Sequence, residues 1–140
     1  MSTQLAAALA AEEAAIYAYG TLGVKLAGDS YLIEARAAEA AHRGRRDVLV
    51  SRLSALQAST APAPAGYELP FEVTDRESAL KLAIQIEDGV AQAWRAVLPV
   101  SEKTDRATAL NALIDAAVRA TRWRRLGEVT PATMAWPGRP

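Results

Sequence analysis

Cysteine is absent from this sequence, phenylalanine occurs once, and neither sign of charge is in excess. Without cysteine there can be no disulfide framework, no thiolate metal site and no cysteine nucleophile. With sixteen basic and sixteen acidic residues, no overall field draws the chain to nucleic acid or to an anionic membrane. Any chemistry must therefore come from carboxylates, hydroxyls, amines and the single imidazole, His42.

Long apolar runs are missing as well. No stretch approaches the roughly 18 uninterrupted apolar residues that a membrane-spanning helix needs. The alanine- and leucine-rich N-terminal segment follows no basic region and meets Glu12 and Glu13 too soon for a secretory signal. We therefore expect a soluble cytoplasmic protein that binds neither nucleic acid nor membrane.

The hydrophobic residues that are present favour helices. They make up 51% of the chain and are mainly alanine and leucine, which have the highest helix propensities, whereas aromatic residues make up only 6%. A length of 140 residues suits one domain with a real core. The composition therefore predicts a single all-α domain.

Start and stop signals divide the chain into four helices. Gly28 and the following Asp29-Ser30 predict a tight turn, Thr74 with Glu77 predicts a capping box, and Gly127 predicts the last helix end. The predicted helices cover about residues 3–27, 31–57, 74–98 and 104–126.

The connections between these helices predict the topology. The first and third are short and give antiparallel neighbours, whereas the second, residues 58–73, contains three prolines. Its residues could span about 50 Å when extended, and a 25-residue helix is only about 37 Å long. We therefore predict a four-helix bundle over residues 1–127 with a long crossover between parallel helices 2 and 3, followed by an irregular tail, residues 128–140.

Carboxylates interrupt three of the apolar stripes. On a helical wheel, Glu12, Glu39 and Glu87 each lie within the core-facing stripe of their helix, and His42 lies near Glu39. Buried carboxylates are costly unless they are paired or bind a metal. The Glu39-x-x-His42 step also has the spacing of carboxylate metal sites in helical bundles.

At these residues the chain resembles the ferritin-like superfamily, and more closely an uncharacterised ferritin-like family of actinobacteria. The resemblance spans about residues 5–125 and rests on residues 12–20, Glu39-x-x-His42, residues 45–47, 69–73, 87–90, 115–119 and 123–124. It implies a ferritin-like fold in which Glu12, Glu39, His42 and Glu87 bind iron or manganese, with oxidase-like chemistry as one outcome. Helix 4 departs from a complete di-iron site, because Asp115-x-x-Val118 stands where a second Glu-x-x-His belongs.

A metal-free core is the alternative interpretation. Arg46 and Arg124 fall on core-facing stripes, and with a protonated His42 they could balance the three glutamates. The chain would then be a ferritin-like bundle with an ionic core that acts as a binding or dimerisation module. A small-ligand pocket between the helices is a third reading. The residues leave these alternatives open, and with them the question of enzymatic activity.

The remaining marked side chains have simpler interpretations. We expect Asp115 to lie on the solvent side and to pair with Arg119 one turn away. Trp94 and Tyr19 are interpreted as core residues, and Trp123 and Trp136 as contributors to a homodimer contact.

Overall fold

The computed structural model describes residues 1–26 and 28–140, and of Asp29 only the backbone. Within these residues it contains four α-helices and no strand, which confirms the all-α prediction. The helices are α1, Ser2–Leu22; α2, Asp29–Ala55; α3, Arg76–Val97; and α4, Lys103–Leu126. Short 3-10 turns, Gly23–Lys25 and Leu98–Val100, follow α1 and α3. No described helix is both long and apolar enough to cross a membrane.

The helix boundaries differ from the predictions by a few residues. The first helix becomes a 3-10 turn at Gly23, and its predicted end at residue 27 lies outside the described residues. Gly28 has φ +109°, which favours glycine, and α2 begins directly after it. The side chain of Asp29, one of the predicted N-caps, also lies outside the described part, and Ser30 is already helical.

The capping box of α3 is one residue later than predicted. Asp75, not Thr74, is the N-cap: its carboxylate accepts a hydrogen bond from the Ser78 amide at 2.8 Å. The Ser78 hydroxyl in turn accepts from the Asp75 amide at 3.1 Å. A carboxylate is favoured over a hydroxyl at this position because the helix N-terminus carries partial positive charge.

Two apolar clusters define how the helices run. The first joins the beginnings of α1 and α4 to the ends of α2 and α3, and includes Leu5, Ala109, Leu53 and Val97. The second joins the ends of α1 and α4 to the beginnings of α2 and α3, and includes Leu22, Trp123, Ala35 and Leu80. Therefore α1 is antiparallel to α2 and α3, and α2 and α3 run parallel, as the long crossover requires.

The crossover and the tail both pack against the helices. Leu69 and Phe71 of the crossover contact the second apolar cluster. In the tail, the carbonyl of Pro137 accepts a hydrogen bond from Arg95 of α3 at 3.0 Å, and Gly138 is buried against Ala91. No helix is assigned within residues 127–140.

The predicted dimer contact needs a correction. Trp123 is fully buried in the second apolar cluster, so it cannot contribute to an interface with another molecule. The inward face of α4 also includes Ala109 and Ala112, whereas Leu110 is exposed. Trp136 is 62% exposed.

Candidate functional site: a buried ionic core

The centre of the bundle contains a histidine between two glutamates. The inward faces of α1, α2 and α3 carry Glu12, His42 and Glu87, and all three side chains are fully buried. His42 Nδ1 lies 2.5 Å from Glu12 Oε2, and His42 Nε2 lies 2.9 Å from Glu87 Oε1. Both ring nitrogens therefore face a carboxylate oxygen, an arrangement that suits an imidazolium with two N–H donors.

The protonation of His42 follows from two opposed effects. Burial acts to lower the pKa of the imidazole, and the hydrogen bonds with Glu12 and Glu87 and their negative charges outweigh it. The pKa of His42 is accordingly raised from its ordinary value of 6.5. The cationic form is stabilised inside the bundle.

Aromatic side chains complete the hydrogen bonding around the carboxylates. The Trp94 indole donates to Glu12 Oε1 at 2.6 Å, and the Tyr19 hydroxyl donates to Glu87 Oε1 at 2.6 Å. The Trp123 indole donates to the Tyr19 oxygen at 2.8 Å. Burial and then the charge of Glu87 raise the pKa of Tyr19 well above its usual value, so this phenol remains a donor. Trp94 and Tyr19 were expected in the core, and buried indoles and phenols generally require a partner.

Two arginines flank the carboxylates. Arg45 Nη1 lies 3.8 Å from Glu12 Oε1, and Arg119 Nη1 lies 3.8 Å from Glu87 Oε1. Asp115 of α4 connects the two arginines: it accepts a hydrogen bond from Arg119 at 2.8 Å and one from Arg45. The expected pair of Asp115 with Arg119 is therefore present, and Arg45 was missed.

Charge balances within this network, which we call the ionic core. Its cations are His42, Arg45 and Arg119, and its anions are Glu12, Glu87 and Asp115. With His42 protonated, the three positive charges equal the three negative charges. A paired arrangement of this kind lowers the cost of burying the individual charges.

The arginines chosen from the sequence lie elsewhere. Arg46 pairs with Asp47 at 2.8 Å, and its side chain is 32% exposed. Arg124 contacts Asp88 of α3 and the Met134 sulfur of the tail rather than the buried glutamates. Arg45 and Arg46 are one position apart and therefore point about 100° apart around α2. The helical wheel alone could not show which of the two faces α4.

Glu39 also lies outside the ionic core. Its side chain is 30% exposed and hydrogen bonds with Arg43 on the next turn at 2.7 Å. Glu39 lies about 60° around the helix from His42, at the edge of the buried stripe. Three of the four predicted metal ligands, Glu12, His42 and Glu87, are therefore brought together, and the fourth is not.

The residues as arranged do not fit a divalent cation. Both nitrogens of His42 are engaged by carboxylates, and guanidinium groups stand 3.8 Å from Glu12 and Glu87. Among the side chains that the structure describes, no group of three His, Cys, Asp or Glu residues is placed to hold a metal ion. One detail points the other way: Glu87 Oε2 is buried without a hydrogen-bond partner in the part of the chain that the structure describes.

Fold and site together define a four-helix bundle with a charge-balanced ionic core. The chain belongs to the family described as domain of unknown function DUF4439, which it matches over residues 4–140. It is similar to the crystal structure of a conserved hypothetical protein, rv2844, from Mycobacterium tuberculosis, with 40% sequence identity and a TM-score of 0.83. That match covers 89% of this chain and 94% of the other. No curated protein matches the chain.

Proposed function

We propose that this chain is a metal-free, ferritin-like bundle that acts as a binding protein, and that its ionic core is structural. The proposal rests on one observation, the placement of His42 within 2.5 Å of Glu12 and 2.9 Å of Glu87 in a fully buried site. An imidazolium held in this way uses both nitrogens, so neither retains a lone pair for a metal.

The cations of the ionic core replace the charge that a metal would supply. In carboxylate-bridged bundles, metal ions neutralise glutamates from facing helices. Here His42, Arg45 and Arg119 do so, and the indole of Trp94 and the hydroxyl of Tyr19 satisfy further carboxylate lone pairs. The core joins all four helices through charged hydrogen bonds, which suits a rigid scaffold better than a reaction centre.

An iron or manganese site remains the competing proposal. Its ligands would be the set predicted from the sequence: Glu12, Glu39, His42 and Glu87. The unpartnered Glu87 Oε2 supports it, since a buried carboxylate oxygen without a donor is costly. Metal binding would require His42 to lose a proton and Glu39 to leave Arg43 and turn inward.

Metal content distinguishes the two proposals. We would measure it by mass spectrometry on protein purified without an affinity tag, and titrate the thermal midpoint with Fe(II) and with Mn(II). We expect no stoichiometric metal and an unmoved midpoint, both in the wild type and in Glu39→Gln. A tightly bound metal at 100 times its Kd would add about 2.7 kcal/mol of stability. Stoichiometric metal with a raised midpoint that Glu39→Gln and His42→Gln abolish would overturn the proposal.

A further inference from the structure

The outward side of α4 carries a row of apolar residues. Leu110, Ile114 and Val118 are 45%, 52% and 45% exposed, and they recur at every fourth position, so their side chains are neighbours along the helix surface. The inward side of α4 belongs to the apolar clusters, so the middle of this helix is apolar on both sides. The exposed apolar residues of α2 form no such row: Ile33, Val48 and Val50. A continuous exposed row is typical of an interaction surface, whereas scattered apolar residues are not.

Guanidinium groups stand at both ends of this row. Arg106 lies one turn before it and Arg122 one turn after it, and both side chains are exposed. Arg106 also lines an open hollow together with Leu110. Arg122 is 58% exposed although it pairs with Glu34 of α2 at 3.4 Å. Arg125, also exposed, follows on the same side of the helix.

Charge is unevenly distributed in this region, although the whole chain is neutral. Residues 103–140 contain seven basic and three acidic residues. Two of the three acids, Asp105 and Asp115, form ion pairs with Arg52 and Arg45 of α2, away from the apolar row. The third, Glu128, lies beyond the end of α4. Neutrality of the whole chain therefore does not exclude an anionic partner at this surface.

The tail extends the apolar row. Met134 is 42% exposed and shares a hollow with Val118. Trp136 is 62% exposed, and Pro137 next to it lines the same hollow. Indoles are favoured at membrane–water boundaries, because the ring is apolar and its N–H can stay in contact with water. We call the following residues the outer apolar face: Leu110, Ile114, Val118, Met134 and Trp136.

A second copy of the chain does not suit the outer apolar face. If two α4 helices packed antiparallel about Ile114, Arg106 of each copy would face Arg122 of the other. If they packed parallel, each arginine would face the same residue of the other copy. Both arrangements bring cations together, which opposes association. The charges at the ends of the row are instead complementary to an anionic partner.

We propose that the outer apolar face docks on the surface of an anionic phospholipid membrane. The apolar side chains enter the boundary between headgroups and acyl chains, while Arg106, Arg122 and Arg125 contact lipid phosphates. A fluid lipid surface can follow the convex side of α4 without offering a groove, and docking of this kind requires no helix that crosses the membrane. The inference deepens the proposed function, on which it rests, by naming the partner of the binding protein.

Trp136 is a built-in reporter of this docking. Trp94 and Trp123 are fully buried in the bundle, so a change in tryptophan emission on contact with a surface comes from Trp136. We would titrate the protein with vesicles of equal parts phosphatidylglycerol and phosphatidylcholine, and with vesicles of phosphatidylcholine alone. We expect a saturable blue shift with the anionic vesicles and at least about tenfold weaker binding to phosphatidylcholine, because the attraction to lipid charge is lost.

Two isoleucine substitutions test the apolar part of the surface. Ile114→Asn interrupts the row, and Ile33→Asn makes the same change on α2, where the side chain is 67% exposed. We expect Ile114→Asn to bind anionic vesicles at least about tenfold more weakly and Ile33→Asn to bind like the wild type.

Two double substitutions test the charged part in the same way. Arg106→Gln with Arg125→Gln removes two cations beside the row, and Lys25→Gln with Arg36→Gln removes two exposed cations from other parts of the chain. We expect the first pair to weaken binding to anionic vesicles at least about tenfold and the second to leave it nearly unchanged.

Three outcomes would overturn the inference. The first is the absence of a saturable shift with anionic vesicles, or an equal shift in Ile114→Asn and the wild type. The second is a shift with poly-L-glutamate but none with vesicles, which would identify an acidic protein segment as the partner. The third is a dimer in analytical ultracentrifugation that Ile114→Asn dissociates. Because every substituted side chain is exposed and lies outside the ionic core, such a failure would not affect the metal measurement.

Discussion

His42 is the residue on which the site depends. It is the only histidine of the chain, it is fully buried, and it joins Glu12 of α1 to Glu87 of α3. A neutral imidazole could donate to only one of these carboxylates. Its charge is therefore part of the structure, and the stability of the bundle should depend on it.

Stability should fall as the pH rises above the unfolded pKa of His42. The folded pKa is raised above 6.5, so the contribution of His42 is fully present below pH 6.5 and is lost as the pH rises through the folded pKa. We expect the unfolding free energy from urea titrations to decrease over this window in the wild type and to stay nearly flat in His42→Gln. Parallel pH profiles for the two proteins would contradict this assignment of charge.

Removing a buried arginine should destabilise the bundle far more than removing an exposed one. The Arg119 side chain is 7% exposed and lies beside Glu87, so Arg119→Met leaves a buried carboxylate without its cation. We expect a loss of about 3 kcal/mol in urea unfolding. Arg46→Met is the matched control, and since Arg46 pairs with Asp47 at the surface, its effect should stay near 0.5 kcal/mol. Equal losses would refute the placement of the two arginines.

At this scale the sequence predicts which residues are buried better than which partners they have. Glu12, His42 and Glu87 could be found because charged residues stood in the middle of apolar stripes. Glu39 and Arg46 lie at the edges of the α2 stripe, where a small rotation decides between core and surface. Arg45 became recognisable only when α4 was in place, because its partner Asp115 lies 70 positions away in sequence.

Among the elements, α3 has the best-defined beginning. Asp75 and Ser78 cap each other, and the hydrogen bond from the Ser78 hydroxyl lowers the pKa of the Asp75 carboxyl, as does that from the Ser78 amide. We expect Asp75→Ala to cost about 1 kcal/mol of unfolding free energy and Thr74→Ala, one residue earlier, to cost little. The comparison is made by urea unfolding at neutral pH. A larger loss of unfolding free energy in Thr74→Ala than in Asp75→Ala would show that Thr74 is the N-cap, as the sequence predicted.

The docking of the tail on α3 requires a glycine at position 138. Gly138 has φ +73°, and a Cβ added there would lie 2.5 Å from the carbonyl oxygen of Ala91. We expect Gly138→Ala to release residues 128–140 from α3, seen as faster proteolytic cleavage of the tail with an almost unchanged urea midpoint for the bundle. Gly89→Ala, where the Cβ has open space, is the control. Unchanged cleavage in Gly138→Ala would contradict the docking.

The sequence predicts that a helix is present more reliably than it predicts the residue at which the helix begins or ends. Summed propensity and proline or glycine signals over twenty or more residues were enough to predict all four helices. The ends depend on single hydrogen bonds, as the shift from Thr74 to Asp75 shows. The inward face of α4 is hard to assign from the sequence, because its alanines, among them Ala109 and Ala112, mark a face only weakly.

In the whole molecule, the crossover connection determines how the residues of the ionic core come together. Parallel α2 and α3 bring His42 and Glu87 to the same depth, and α1 presents Glu12 to the other nitrogen of the His42 ring. The sequence predicted this topology from loop lengths alone. It could not predict how α2 and α4 meet, because ion pairs such as Arg52 with Asp105 join them and form between distant segments.

The central claim, that a protonated histidine stands where a metal would, is tested most directly by the nitrogen spectrum of His42. Because no other histidine is present, tag-free protein gives one imidazole signal set, which we would record at neutral pH before and after one equivalent of Mn(II). We expect two protonated ring nitrogens that Mn(II) leaves unchanged. A neutral imidazole whose signal is broadened by stoichiometric Mn(II) would contradict the account and identify the buried glutamates as metal ligands.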